Sequence, residues 1–519
     1  MSLNLTRVLG DGPFAEIGAP TAVAAHDGLV AVGGDLGSLY WDGDGTARVG
    51  WRAHRLGVYE SGGERCRVLI ETRWPVNALD FHPSLPLLAV GTGSYDGGDY
   101  FDGELILLDV ETGETVSLMP DEREVRRVRW ADARTLEVVV APPNDNDFPE
   151  PRERGFAEVI VRADWQTPEP YRLGEVAGRE TVPSAAPPVS LREHAGEAWE
   201  PRDQVWAVAA TNDGGVVVGR QGVLLEAWTA GGEPAWSVPD EGGAKQLLVD
   251  PGGRTALVNV TRPWREGPDG WHRGPDLVGR VSLDDGRLLT RLDEGWAAVL
   301  AGAADGSALM RHTNYREEHA AILLDPAGER AGTVALHGCD TFNHPFEVRG
   351  SALPLVLVGE PDAPHWDKWV AAVGPGADLD RLFPLEWEAG PGRHLFGGPG
   401  VVSGGTLVHA GTVHHGHGLL PGNAFVVARD FTGGSARWVH AGDIPVTALD
   451  TDGERVYAAF NSGELLVLDL ENGEVLHREE LVVRGRPVVA LSLALDGPGR
   501  LLAGTVDGRI LDFALDFAA

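Results

Sequence analysis

Three histidines fall within four positions, His414, His415 and His417, with His409 five residues before the first. His415 and His417 are two apart, so on an extended strand both face the same side. His337, Cys339 and His344 form a second group about seventy residues earlier. Zinc needs three or four such ligands to converge. Hydrogen-bonded loop histidines give the same pattern, so the metal question stays open, with His414, His415 and His417 as its candidates.

Carboxylates gather in two loops. One holds Asp96, Asp99, Asp102 and Glu104, the other Asp145, Asp147, Glu150 and Glu153. Clustered carboxylates hold Ca²⁺ through oxygen ligands, but neither loop has the twelve-residue EF-hand spacing. Solvated charge, or a surface facing a basic partner, is the expected reading. No G-x-S-x-G elbow, H-E-x-x-H pair or phosphate-cradling G-x-x-x-x-G-K-[ST] loop occurs. With 77 acidic residues a chance pair of carboxylates says nothing about glycoside chemistry. No catalytic residue and no cofactor are expected.

The third set is aromatic: Trp41, Trp51, Tyr95, Tyr100, Phe101, Phe148, Trp264, Trp271, Tyr315, Trp366 and Trp369. Such side chains dominate binding hot spots because they bury much area at small entropic cost. They also pack loops onto a scaffold, and residue type alone does not separate the two roles.

These residues need elements to position them, and the chain repeats one unit about every 50 residues. NALDFHPSLPLLAVGT leads into ELILLDVETGE, VTALDTDGERVYAAFNSG into ELLVLDLENGE, and VVALSLALDGPGRLLAGTVDG into RILDFALDF. Each begins with a short alternating strand, turns on Asp, Gly or Pro, and continues as a second strand ending in small residues. A third strand closes on a Gly-acid turn before a weaker fourth. These are strand and hairpin signals, and no 3.6-residue apolar stripe is sustained. The copies resemble WD-type and quinoprotein-type propeller repeats, the LDLENGE and LDVETGE turns being most similar to the latter. The terminal Trp-Asp pair and the His of the WD signature are absent. The resemblance is strong over 75–120 and 440–519 and implies an all-β propeller of four-stranded antiparallel blades.

Module starts fall near Ala22, Asn77, Val125, Val205, Lys245, Ala297, Phe346, His394, Val446 and Val488, which makes about ten. The last has three strands, and the segment Leu3 to Gly12 is the expected fourth, closing one ring over 1–519. Two smaller rings parted by the loop 174–204 are the alternative. Turns between strands one and two, and three and four, are short, as in TDGE, NDGG and ENGE. Insertions collect between strands two and three, so one face is expected to carry function.

Net charge is −34, and only two basic residues, Lys245 and Lys368, are lysines, a composition suited to a GC-rich bacterial genome. A surface this acidic repels phosphate backbones, which argues against nucleic acid. No run of about 18 apolar residues predicts a membrane span. The N-terminus does not read as a secretory signal, and Cys66 and Cys339 are expected to be reduced. The expected protein is a cytoplasmic, non-catalytic scaffold whose aromatic and acidic loops meet a protein partner. An enzyme over the central channel, a metal-assisted hydrolase or lyase, is the alternative; a quinoprotein-like dehydrogenase ranks third because such enzymes are usually exported.

Overall fold

Short β-branched and leucine runs leave backbone groups unpaired along both edges until they join a ladder. A computed structural model describes residues 2–36, 54–96, 98–119, 123–148, 150–175, 179–184, 191–195, 202–262, 264–267, 270–273, 277–292, 298–312, 320–336, 346–360, 363–387, 390, 392–415 and 418–516. The protein is all-β, with many four-stranded antiparallel sheets, compatible with a propeller-like fold. It divides into two compact units. The shorter comprises Asp11–Ser38 and Arg52–Asp203; the longer comprises Met1–Gly10, Leu39–Trp51 and Gln204–Ala519.

Among the described residues the shorter unit holds three sheets with strands in sequence order, beginning at Ala19–His26, Val76–Phe81 and Val125–Asp132. The Ala19 and Val76 sheets share one apolar cluster (Val58, Leu88, Ile106). The Val76 and Val125 sheets share another, containing Leu105, Trp130 and Trp165.

In the longer unit Val205–Ala210 opens a six-stranded sheet. Its long strand Pro234–Val249 pairs through its first half with Val223–Trp228 and through its second with Thr255–Thr261, so two modules are joined edge to edge. Sheets starting at Ala298, Leu355, His394, Val446 and Ala490 follow. The expected starts fall within three residues of strand beginnings, except that Lys245 lies inside Pro234–Val249.

One irregularity recurs. The first strand of a sheet bulges just after its start, skipping Thr21, Asn77, Arg126, Trp206, Thr447 or Leu491 in the register, and Pro234–Val249 does the same at Lys245, where its pairing with Thr255–Thr261 begins. A bulge turns the extra residue out of the ladder and re-aims its side chain. Several of these side chains reach the next sheet. Thr21 donates to Val76 O (2.7 Å), and Thr447 donates to Ala490 O (2.5 Å). A second link comes from strand-one aspartates: Asp80 accepts from Trp130 N–H (2.6 Å) and Asp450 from Leu495 N–H (2.9 Å).

The acid-glycine turns also repeat. The carboxylates of Asp109, Asp430 and Asp469 each accept two backbone N–H bonds from the residues two and three ahead. Gly473 closes one such turn at φ 75°, and a Cβ there would lie 2.6 Å from the Trp438 ring. Glycine is needed for both the backbone and the space.

The chain's first strand, Ser2–Leu9, pairs antiparallel with the last, Ile510–Asp516, completing the Ala490 sheet. Asp512 takes Arg7 Nε at 2.5 Å and Arg500 at 2.9–3.0 Å. One strand departs from the pattern. Glu347–Arg349 pairs in parallel with His394–Ser403, leaving its own module three-stranded. The run Gly397-Gly398-Pro399-Gly400 permits this, because a Cβ at Gly397 would lie 2.6 Å from the Phe346 Cβ.

Candidate functional site

The two acidic loops lie side by side in the shorter unit, and glycines explain how. Gly93 and Gly103 are register partners across the hairpin of Leu87–Tyr95 and Phe101–Asp109. A Cβ on either would come within 2.7 Å of the Glu124 Cα, so bare backbone here lets the incoming chain seat against the hairpin. Glu124 N–H then donates to Phe101 O (3.0 Å), and its carboxylate holds Arg126 at 2.8–2.9 Å. Arg126, the bulged residue of its strand, stacks over the Phe101 ring at 4.8 Å and donates to the carbonyls of Pro151 and Arg154. One buried guanidinium thus ties both loops to one sheet edge.

Above this base the loops bond to each other. The Tyr95 hydroxyl lies 2.6 Å from the Asp145 carboxylate, a bond that, with partial desolvation, holds the phenol above its usual pKa. Asn146 donates its amide to Asp99 (2.7 Å), Asp145 N–H donates to Asp99 O (3.1 Å), and Tyr100 forms a bridge with Asn144. Asp96 caps its own turn, accepting from Gly98 N–H and Tyr100 N–H. Those bonds, Tyr100 first, hold its carboxyl below the usual range. Asn144 caps the partner turn by accepting from Asn146 and Asp147. Arg152 covers the Tyr95 ring at 4.8 Å. Side-chain caps of this kind fix loop backbones that carry no regular structure.

What remains outward is a tyrosine among acids. Tyr100 is 57% exposed; Asp96 and Asp99 of its own loop and Asp147 of the neighbouring turn are exposed, as are Glu150 and Glu153. The other aromatic candidates divide. Phe101 is 2% exposed and packed inward; Phe148 is half-buried with its ring against Phe156 at 5.5 Å; Tyr95 is engaged as described. Trp369, in the longer unit, is half-buried under Arg381 at 5.6 Å. Trp41, Trp51 and Tyr315 lie outside the described residues. So do the side chains of Trp264, Trp271 and Trp366, whose backbones are in strands.

Of the candidate histidines that are described, His409 and His414 are packed. His409 is buried, its Nε2 accepting from Arg429 Nε (3.2 Å), which leaves Nδ1 as the protonated nitrogen facing Ala410 O. Burial, with the positive charge of Arg429, lowers its pKa to about 3. His414 packs on Phe396 at 4.5 Å, and burial lowers its pKa to about 4. His415 is exposed, and His417, His337, Cys339 and His344 fall outside the described residues. Among the described residues no three His, Cys, Asp or Glu side chains are grouped to hold a metal ion. No helix of the described residues is long and apolar enough to cross a membrane.

Two features had no signal in the sequence. Arg126 is one arginine among many, and only the strand bulge makes it a clamp. Trp206 and Lys245, bulged residues of Val205–Ala210 and Pro234–Val249 in the longer unit, stack at 3.7 Å from ammonium to ring. No protein-family model matches the chain, and no curated protein matches it in sequence.

Proposed function

We propose that this protein is a non-catalytic binding scaffold whose paired loops in the shorter unit dock a basic surface of a protein partner. The observation that carries the reading is the mutual locking of the 96–100 and 144–147 loops beneath an exposed Tyr100. A loop pair already held in one geometry loses little entropy on binding. Tyr100 supplies an aromatic anchor, and the surrounding carboxylates supply steering toward positive charge.

The scaffold we propose is a propeller ring formed by the longer unit alone. Its support is the chain of shared apolar clusters. The two halves of the Val205 sheet share one; the next links run to the Ala298, Leu355, His394, Val446 and Ala490 sheets in turn. A last cluster joins Leu502 and Ile510 to Val205 and Val218. Ser492 also donates to Val205 O (3.2 Å). That circuit favours seven modules closed by the N-terminal strand over a ring of ten, with the three sheets of the shorter unit inserted between Gly10 and Gln204.

The test compares capture from the source cells by the full chain and by two variant sets, with quantitative mass spectrometry. Tyr100→Ala should reduce capture of the partner by about thirtyfold, the consequence of losing about 2 kcal/mol at an anchor. Asp99→Asn with Asp147→Asn should slow association and flatten its salt dependence. Substitutions at the short turns, Asp213→Ala and Asn472→Ala, should leave capture intact. If the turn set abolishes capture while the loop set keeps it, the reading is wrong.

A further inference from the structure

The longer unit contains a cavity of about 420 Å³ at the turn ends of its first strands, within the size range of small-ligand sites. Every charged side chain in its lining has a counter-charge. Asp250 faces Arg280 at 3.8 Å, Asp450 faces Arg349 at 3.6 Å, and Asp496 accepts from Arg500 at 2.9 Å. Arg500 also holds Asp512, but Asp512 has Arg7 as a second partner. The lining is therefore charge-balanced, and an ion entering it would lose hydration without finding a free opposite charge.

The three pairs are not alike. Asp496 and Arg500 touch, whereas the other two stand off beyond hydrogen-bond length. The reason is that all four of their members are anchored elsewhere. Asp250 accepts from Arg254 N–H (2.8 Å) and the Thr255 hydroxyl (2.7 Å), and Asp450 from the N–H groups of Thr451 and Leu495, both at 2.9 Å. Arg280 donates to the Thr255 hydroxyl (3.0 Å) and Ala327 O (2.6 Å). Arg349 reaches across to the carbonyls of Leu493 (3.1 Å) and Leu449. Among the described residues, Nη2 of Arg280 and Nε of Arg349 make no hydrogen bond. Each stand-off pair thus leaves a gap with a donor on one side and an acceptor on the other, in a lining that also contains Leu257 and Leu495.

A hydroxyl fills such a gap with a single neutral atom, since it donates to the carboxylate while accepting from the guanidinium. Its oxygen sits about 2.8 Å from both. Water does the same but leaves the leucines wetted. A carbon ring bearing several hydroxyls bridges the gaps and covers apolar lining at once, and the displaced water is a gain where it met only carbon. We propose that the cavity binds a small neutral polyol, a cyclitol or monosaccharide, with hydroxyls between Arg280 and Asp250 or between Arg349 and Asp450 and its C–H groups toward Leu257 and Leu495. The site belongs to the longer unit and does not depend on the docking loops.

Calorimetric titration of the full chain with myo-inositol, D-xylose and D-glucose tests this, with D-glucuronate and D-glucosamine as counterparts that keep most hydroxyls and add one charge. At least one neutral polyol should bind saturably. The two charged sugars should bind at least about tenfold more weakly than the best neutral one, the effect of desolvating a charge that meets no free partner. Arg280→Gln or Arg349→Gln should weaken the best polyol by about tenfold as well, with the melting temperature of each variant checked in parallel. If neither variant can be purified, the ligand series on the natural chain decides. Absence of saturable heat from all three polyols up to about 20 mM overturns the proposal. So does unchanged affinity in both folded arginine variants, which would put the polyol elsewhere, or tighter binding of glucuronate or glucosamine, which would make the cavity an ion site.

Discussion

Leu9 ends the strand that joins the two termini of the chain, and it is the residue to perturb. It is 4% exposed and packs with Val205, Val218, Leu502 and Ile510, whereas Leu5 on the same strand is 38% exposed. Leu9→Ala removes three buried carbons and leaves a cavity, a change that costs about 3 kcal/mol. Unfolding entropy runs at roughly 2.1 cal/mol/K per residue, so a unit of roughly 340 residues loses about 0.7 kcal/mol of stability per degree near its midpoint. The melting temperature of the longer unit should therefore fall by about 4 °C. Leu5→Ala should move it by less than about 1 °C, since an exposed substitution stays within about 0.5 kcal/mol. Circular dichroism melts of both variants and of a chain lacking residues 2–9 make the comparison. The truncated chain leaves the outer edge of Ile510–Asp516 unpaired, and it should lose its cooperative transition and aggregate. If Leu9→Ala melts with Leu5→Ala, or the truncated chain melts like the full one, the terminal strand does not hold the unit together.

Gly473→Ala and Gly485→Ala share a left-handed backbone, at φ 75° and 77°, but only the first brings a Cβ against a neighbour, the Trp438 ring. The first should cost about 2–3 kcal/mol and the second about 1 kcal/mol, read from urea midpoints; equal costs would show that the ring is free to move away. For His409 the folded pKa of about 3 lies below the unfolded 6.5, so the unfolded chain binds the proton first. Stability is then full above pH 6.5 and declines as pH falls toward 3. Between pH 6.5 and 5 the decline should be about 2 kcal/mol, and His409→Gln should flatten it by that amount. A variant with an unchanged pH slope would place a proton on His409 in the folded state.

The strands were legible because their signals are local. Alternation in NALDF and VTALD, and the Asp and Gly of LDVETGE and LDLENGE, set strand and turn by neighbours a few residues away. Much of what decides the sites is not local. Whether Phe101 anchors a partner or lies beneath Arg126 depends on a bulge and on two glycines facing each other across a hairpin. The expected start at Lys245 falls within Pro234–Val249, because strand four of one module runs straight into strand one of the next. Near Phe346 a strand begins as expected but pairs elsewhere, drawn to the glycine run at 397–400. Spacing placed His414 and His415 in the sequence; it did not reveal that the His414 ring is packed against Phe396.

The terminal pairing also sets a schedule. Ser2–Leu9 is made roughly 500 residues before its partner Ile510–Asp516. Synthesis at about 5–20 residues per second separates them by roughly 25–100 s. Through that interval a strand bearing Leu3, Leu5 and Leu9 has no partner from its own sheet, while Asp11–Ser38 and Arg52–Asp203 are complete and free to fold. The sheet that begins at Ala490 is thus completed only once Ile510–Asp516 has been made, and Ser2–Leu9 must be shielded until then. Slower elongation should lengthen the exposure and raise the aggregated fraction of nascent chains, and a permuted chain with Ser2–Leu9 moved to follow Asp516 should be spared it.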